Sequence, residues 1–222
     1  MTRANKIAQL SNERGFSLVE MLISAGISIM GLAVAAQVAD VVQRGYTQQL
    51  DTAIYEEEAR YAIDWIGRSL RSAGSNPYDI TVSACPVANT VFQSVRIDPN
   101  LNGIYDDIRI NSDGGRPNGW LGGDAGACVE PDEDVTITFD PVSRTISRQD
   151  NNIDGVPVVM TEAVITGLQF TYLDVTRVAT VDPATIAFVG VTVTAESSLR
   201  DPQQTGLFDT VTLNTEVRLR SQ

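Results

Sequence analysis

A long apolar run near the N-terminus predicts the first element of the chain. Residues 21–39 contain no charged side chain, and with their flanks they are long enough to cross the hydrocarbon core of a bilayer as a helix. Glu20 stands immediately before this run. A carboxylate is costly next to hydrocarbon, so an ionisable residue at such a position is a candidate functional residue.

A helical pattern continues beyond the apolar run. Between residues 59 and 73, apolar residues recur at helical spacing, and Gly74, followed by Ser-Asn-Pro, predicts the end of the helix. We therefore expect one helix over residues 17–73. Its first half is apolar nearly all round, and its second half should pack one face on a domain. The acidic run Glu56–Glu58 is either a solvated face of this helix or a contact with a basic patch on a neighbouring subunit.

After Pro77 the sequence consists of short runs rich in β-forming residues between clusters of Gly, Pro, Asn and Asp. This pattern is typical of strands joined by turns. In the last run Val211, Leu213 and Val217 share one face and polar residues share the other, as in a half-buried antiparallel strand. The predicted fold class is α+β, with one long N-terminal helix packed on an antiparallel β-sheet domain. The predicted strands are Val91–Ile97, Asp107–Ile110, Val135–Phe139, Thr145–Arg148, Val156–Met160, Val164–Leu173, Ile186–Ala195 and Thr210–Leu219.

Charge and composition exclude two classes of function. The formal net charge is −12 and the chain has no histidine. An acidic chain without a basic cluster argues against a nucleic-acid partner, because phosphate binding needs a dense patch of Lys and Arg. Without histidine the usual general base is missing, and no nucleophile–base arrangement is visible among the Ser and Thr residues. We therefore expect a protein without catalytic activity.

Positive charge before the apolar run indicates that the rest of the chain is exported. Three basic residues outweigh Glu13 within residues 1–15, and basic flanks stay on the cytoplasmic side of a membrane. In an exported domain an even cysteine count suggests a disulfide. Cys85 and Cys128 are therefore predicted to form one bridge, with two unpaired thiols in loops as the alternative.

The junction between the basic leader and the apolar run has a distinctive sequence. Arg-Gly-Phe-Ser-Leu-Val-Glu at positions 14–20 resembles the class III signal of type IV prepilins. The resemblance implies cleavage after Gly15 by prepilin peptidase, N-methylation of Phe16, and a role for Phe16 and Glu20 in filament assembly. The implied divisions are a leader over residues 1–15, a long helix over 16–74 with a transmembrane and assembly segment over 16–42, and a β-rich periplasmic or extracellular domain over 75–222.

Three later segments resemble the PilW-like minor pilins and their relatives, the J-type pseudopilins of type II secretion. They are Arg71–Gly74, Gly167–Asp174 and Thr215–Arg220. Many major pilins carry a helix-kinking proline at the position of Gln37, so this residue argues against the bulk filament subunit.

A minor pilin of the type IV pilus, acting in pilus assembly or in its tip complex, is the function that these resemblances imply. The implied partners are prepilin peptidase, other minor pilins, the major pilin, the inner membrane and a tip adhesin. The implied location is the bacterial inner membrane, with a cytoplasmic leader and a periplasmic domain, and later the filament or its tip.

Two alternatives remain open. A type II secretion pseudopilin would carry the same residues as a minor pilin. A monomeric, membrane-anchored periplasmic enzyme or binding protein is the alternative from another class, and it predicts a buried pocket and no need for Glu20.

One loop carries a candidate metal site. Residues 98–107 read D-P-N-L-N-G-I-Y-D-D and resemble the first part of a calcium loop, in which oxygen ligands alternate along the chain and a glycine permits the sharp turn. Arg109 stands where a bidentate carboxylate closes such a loop, and Asp107 is the candidate replacement. Residues 150–155 repeat only the opening of the pattern. The candidate Ca²⁺ ligands are Asp98, Asn100, Asn102, the Ile104 carbonyl, Asp106 and Asp107.

The alternative for this loop is an ordinary turn, because Asp, Asn and Gly favour turns in any case. The predicted function requires no cofactor, and Ca²⁺ is the one candidate ligand.

Overall fold

The structure is a computed structural model that describes residues 16–81, 91–114, 119–121, 130–200 and 208–220. It confirms the α+β class, since one long helix precedes strands that all pair antiparallel. Each predicted strand is present, with one or both ends shifted. The elements are α1 Leu18–Ser72, β1 Val95–Ile97, β2 Asp107–Asn111, β3 Asp134–Asp140, β4 Thr145–Asp150, β5 Val158–Val159, β6 Ile165–Leu173, β7 Phe188–Arg200 and β8 Phe208–Arg218.

Helix α1 contributes to two compact units of the chain, residues 1–49 and residues 50–222. It starts at Leu18 because Ser17 caps it: Ser17 Oγ accepts the Val19 N–H at 3.3 Å, and the Ser17 carbonyl accepts the Met21 N–H at 3.1 Å. In the first unit no residue between 16 and 49 is buried.

The helical residues of the second unit bury one face. The predicted apolar stripe is confirmed, with Ile66 and Leu70 fully buried and Ile63 half-buried. Tyr55 and Trp65 extend this face. Burying a side chain the size of leucine contributes roughly 1.5–3 kcal/mol, so the stripe holds this part of α1 on the domain.

The end of α1 depends on Gly74. Its φ is +77°, which is the left-handed conformation that glycine adopts at helix ends without steric cost. The Gly74 N–H donates to the Asn111 carbonyl at 3.0 Å, so the end of the helix contacts the C-terminal end of β2. A β-carbon at this position would lie 2.7 Å from Ser94 Oγ.

The strands form two antiparallel sheets. The five-stranded sheet has the order β1-β2-β3-β4-β5, and the three-stranded sheet has the order β6-β7-β8. In β6, Leu168, Phe170 and Tyr172 are buried and alternate with exposed residues. The alternation of β8 is confirmed, with Val217 buried and Glu216 exposed.

A single core joins α1 to both sheets. Ile66 and Leu70 of α1, Ile137 of β3, and Phe170 and Val191 of the three-stranded sheet all belong to it, and each is completely buried. Two loops between strands, both outside this core, bear on the candidate sites. Residues 98–106 join β1 to β2, and residues 151–157 join β4 to β5.

Candidate functional site

The first candidate site is the N-terminal end of α1. Phe16 precedes the helix and is 77% exposed, and Glu20 is exposed in the first helical turn. A carboxylate there is stabilised by the positive end of the helix dipole. Within the described residues Glu20 forms no ion pair. Its charge is therefore open to a partner from outside this part of the chain.

The helix that follows presents an apolar surface on every side. All residues from 16 to 47 are exposed. By its length and composition, this part of α1 could cross a membrane. Soluble monomers rarely expose apolar patches larger than a few hundred Å². Between residues 18 and 47, the large apolar side chains that are each at least 58% exposed are Leu18, Val19, Met21, Leu22, Ile23, Ile27, Ile29, Met30, Leu32, Val34, Val38, Val41, Val42 and Tyr46.

The second candidate site is the acidic loop, residues 98–107. Asp98 accepts the N–H groups of Asn102 at 3.0 Å and Gly103 at 2.8 Å through its two carboxylate oxygens. Asn100 Oδ1 accepts the same Asn102 N–H at 2.9 Å, and Asn102 Oδ1 accepts the Ile104 N–H at 2.7 Å. The predicted sharp turn at Gly103 is present, with φ +81°. The alternating side-chain oxygens thus all face the inside of one tight loop.

Asp107 is the last residue of the acidic loop and the first residue of β2. It is only 1% exposed, and its Oδ2 accepts the Asn100 N–H at 3.1 Å. Its Oδ1 is buried and accepts no hydrogen bond. Burial raises the pKa of Asp107 to about 6, and the charges of Asp106 and Asp98 add to the rise. Burial also raises the pKa of Asp106.

Two tyrosines hold the acidic loop against β6. The Tyr105 carbonyl accepts the Phe170 N–H at 2.7 Å, and the rings of Tyr105 and Tyr172 meet edge to face with centroids 6.0 Å apart. The Tyr172 hydroxyl is buried without a hydrogen-bond partner. Burial raises the Tyr172 pKa, and the nearby Asp107 charge raises it further.

The loop over residues 150–155 is electrostatically different. Asp150 accepts the N–H of Asp132 at 2.7 Å and that of Asn152 at 3.1 Å. Arg148 pairs with Asp132 and lies 3.6 Å from Asp150 Oδ2 and 3.9 Å from Asp154 Oδ2. The carboxylates of this loop therefore have a cation within the chain.

Sequence reasoning missed several of these residues. Arg148 was part of a predicted strand, and its position two residues before the loop over residues 150–155 is the only local signal of its role. Glu58 is only partly solvated, because its Oε2 accepts the Glu162 N–H at 3.1 Å. No local pattern indicates that contact, since the two residues are 104 positions apart.

Three predicted site residues lie outside the described residues. They are Gly15, before the predicted cleavage point, and Cys85 and Cys128. The cleavage and the disulfide both stay predictions. The described part of the chain contains no preassembled group of three or more Asp, Glu, His or Cys side chains that could hold a metal ion.

Comparison with known proteins bears on the first site. Residues 10–36 match the model of the prokaryotic N-terminal methylation motif. No curated protein and no solved structure matches the chain.

The motif match supports a type IV pilin-like class III signal at the start of the chain, and with it a type IV pilin or pseudopilin in general. Such a motif implies processing by prepilin peptidase and assembly with other pilins. It points to a structural rather than a catalytic role, and the exposed apolar helix is consistent with anchoring in the inner membrane.

Proposed function

We propose that the protein is a minor pilin, a structural subunit that is processed by prepilin peptidase and takes part in assembly of the type IV pilus or of its tip complex. One observation carries this proposal. The methylation motif covers residues 10–36. In the part of that motif that the structure describes, residues 16–36, every residue is exposed, and residues 18–36 form an apolar helix. An apolar surface of this extent requires a cover of lipid or of other subunits.

The minor-pilin assignment also draws on the rest of the chain. The segments that resemble PilW-like proteins form the C-terminal end of α1, most of β6, and the end of β8. These are elements that build the core rather than peripheral loops. Gln37, in the exposed part of α1, fits a minor subunit better than the major one.

The proposed assembly contact joins Glu20 to the amine of Phe16. Cleavage after Gly15 creates a new α-amino group at the start of an apolar helix. In a bilayer or a filament interior both this amine and the Glu20 carboxylate are poorly solvated. Pairing Glu20 of one subunit with the Phe16 amine of its neighbour offsets both desolvation penalties and fixes the axial stagger of the two helices.

Processing is tested by mass spectrometry of the native protein. The mature chain should begin at Phe16 and be one methyl group heavier than its sequence. Replacing Gly15 by a bulky residue should leave the leader attached, because the peptidase needs a small residue before the bond that it cuts. A native chain that begins elsewhere contradicts the proposal.

Assembly is tested by the ratio of this protein in sheared filaments to that in membranes. Glu20→Ala should insert normally, because the helix becomes more apolar, but its ratio should fall strongly. Removing one member of a buried ion pair typically costs about 3–5 kcal/mol. Glu20→Asp should be intermediate, because the shorter side chain reaches less far.

Asp40→Ala is the matched control. Asp40 is another exposed carboxylate in the same part of α1, but it is already paired with Arg44 at 2.8 Å. Asp40→Ala should leave the filament-to-membrane ratio unchanged. An equal ratio for wild type and Glu20→Ala would contradict the assembly contact and would favour a monomeric membrane-anchored protein.

A type II secretion pseudopilin is distinguished by the phenotype of a deletion strain. A minor pilin predicts loss of surface pili with secretion intact. Loss of secreted enzymes with pili intact would assign the chain to the secretion system instead. In either case the methylation motif and the Glu20 contact keep the same roles.

A further inference from the structure

The acidic loop concentrates oxygen atoms on one short stretch of backbone. The side chains of Asp98, Asn100 and Asn102 point inward, where they accept backbone N–H groups of residues 102–104. Each carboxylate oxygen has two lone pairs, so an oxygen that accepts one N–H can still bind a cation. The loop therefore offers oxygen donors without first having to break its own hydrogen bonds.

Asp107 adds an observation that a turn alone does not explain. Only 1% of the residue is exposed. Its Oδ2 accepts the Asn100 N–H, and its Oδ1 has no hydrogen-bond partner. A buried carboxylate oxygen without a partner carries a substantial desolvation penalty. Its attachment to Asn100 fixes the carboxylate against the loop, beside the charges of Asp98 and Asp106.

Nothing in the described residues neutralises these charges. No described arginine forms an ion pair with Asp98, Asp106 or Asp107. In residues 150–155, by contrast, Arg148 supplies the positive charge. The acidic loop thus lacks the cation that the other Asp-rich loop carries as a side chain.

We propose that the acidic loop binds one Ca²⁺ ion through Asp98, Asn100, Asn102 and the Asp106–Asp107 pair. Ca²⁺ takes six to eight oxygen ligands in flexible geometry, whereas Mg²⁺ demands a small octahedral site. The described residues contain no group of three or more carboxylates that could hold a metal ion. We therefore expect an affinity at the weak, extracellular end of the Ca²⁺ range, with a Kd of about 0.1–1 mM.

The test uses the mature chain, residues 16–222, in non-ionic detergent. Tb³⁺ is the probe, because it binds oxygen sites of this size and its emission is excited through nearby tyrosines, here Tyr105 and Tyr172. We expect saturable Tb³⁺ emission that Ca²⁺ displaces and Mg²⁺ does not. Asp98→Asn and Asp107→Asn should each weaken Ca²⁺ at least tenfold. Calorimetric titration with Ca²⁺ alone measures the same affinity without Tb³⁺.

Asp154→Asn is the matched control, since it removes a carboxylate from the loop that Arg148 already serves, and Ca²⁺ affinity should not change. The thermal stability of Asp107→Asn shows whether a loss of Ca²⁺ binding results from misfolding. Without Ca²⁺ its thermal midpoint should equal or exceed that of the wild type, because the substitution removes an uncompensated buried charge. The proposal is overturned if Ca²⁺ shows no saturable binding up to about 10 mM, tenfold above the weak end of the expected range. It is equally overturned if Asp98→Asn binds as the wild type does, or if Asp154→Asn abolishes binding.

Discussion

Helix α1 has the same backbone conformation on both sides of residue 50 but different surroundings. Residues 18–49 are the more apolar part, and none of them is buried. Residues 50–72 carry most of the charges of the helix, yet they bury one complete face that includes Ile66 and Leu70. Apolar content and burial within the chain are thus inversely related along this helix. The first part is built to be covered by something other than its own domain.

The contrast separates two kinds of stabilisation. In residues 50–72 the free energy gained on burial contributes to folding of the domain, so substitutions there should change unfolding. In residues 18–49 the same gain is realised only in lipid or against other subunits, so substitutions there should change insertion or assembly and leave unfolding of the domain unaffected. The following experiments compare matched changes in the two parts.

The largest effect is expected from removing the first part altogether. A chain that begins at residue 50 should move from the detergent phase to the aqueous phase in a detergent-partition assay and should keep the thermal midpoint of the mature chain. A chain that begins at residue 61 also loses the buried residues Tyr55 and Ala59, and it should unfold at a lower temperature. If the chain from residue 50 fails to fold, the two parts are not separable as described.

Single apolar truncations should show the same contrast. Leu70→Ala removes a completely buried side chain and should lower the free energy of unfolding by about 2–5 kcal/mol. Leu22→Ala removes a side chain that is 66% exposed and should change it by less than about 0.5 kcal/mol. The measurement is chemical denaturation of the mature chain in detergent, followed by tryptophan fluorescence, to which the buried Trp65 contributes. Equal effects at the two positions would contradict the contrast.

Replacing a glycine by alanine should destabilise the domain at the end of α1 but increase helicity within its exposed part. Gly74→Ala forces a residue with a β-carbon into φ +77°, with Ser94 Oγ 2.7 Å and the Arg220 carbonyl 3.0 Å from that carbon, and it should destabilise the domain by about 1–3 kcal/mol. Gly31 lies within the helix with no atom within 4 Å of an added β-carbon. Gly31→Ala should leave the domain unchanged and raise helicity, because alanine is favoured over glycine in a helix interior by about 1 kcal/mol. Circular dichroism with thermal unfolding measures both.

Local patterns in the sequence were enough to predict much of this fold. The long helix, its end at Gly74, the buried stripe and the antiparallel strands follow from periodicity and turn residues, which neighbouring positions determine. The motif at residues 14–20 identified the N-terminal site for the same reason. The division of the strands into two sheets did not follow, because alternation fixes which face a residue occupies but not which strand pairs with which.

The details of the acidic loops were also beyond local patterns. The sequence pointed to Asp98 and Asp107 as oxygen ligands, but it did not show that Asp107 is almost completely buried or that the Tyr105 carbonyl accepts the Phe170 N–H of β6. The neutralising role of Arg148 depends on the neighbouring strand and its turns. Contacts between positions distant in sequence leave no periodic trace, so these features required the structure.

The smallest effect concerns the acidic run that precedes the buried face of α1. Glu58 Oε2 accepts the Glu162 N–H at 3.1 Å near the protein surface, whereas Glu57 is exposed. Hydrogen bonds of this kind contribute about 0.5–1.5 kcal/mol, and Glu58→Ala should lower the free energy of unfolding by that amount. Glu57→Ala should change it by less than about 0.5 kcal/mol.

The same pair of variants tests the two interpretations of this acidic run that the sequence allowed. A solvated face predicts that neither variant affects stability or assembly. A contact with a basic patch on a neighbouring subunit predicts that Glu57→Ala lowers the filament-to-membrane ratio while unfolding stays unchanged. A stability loss confined to Glu58→Ala would instead assign this carboxylate to the domain, and would place the boundary between the two kinds of stabilisation N-terminal to residue 58.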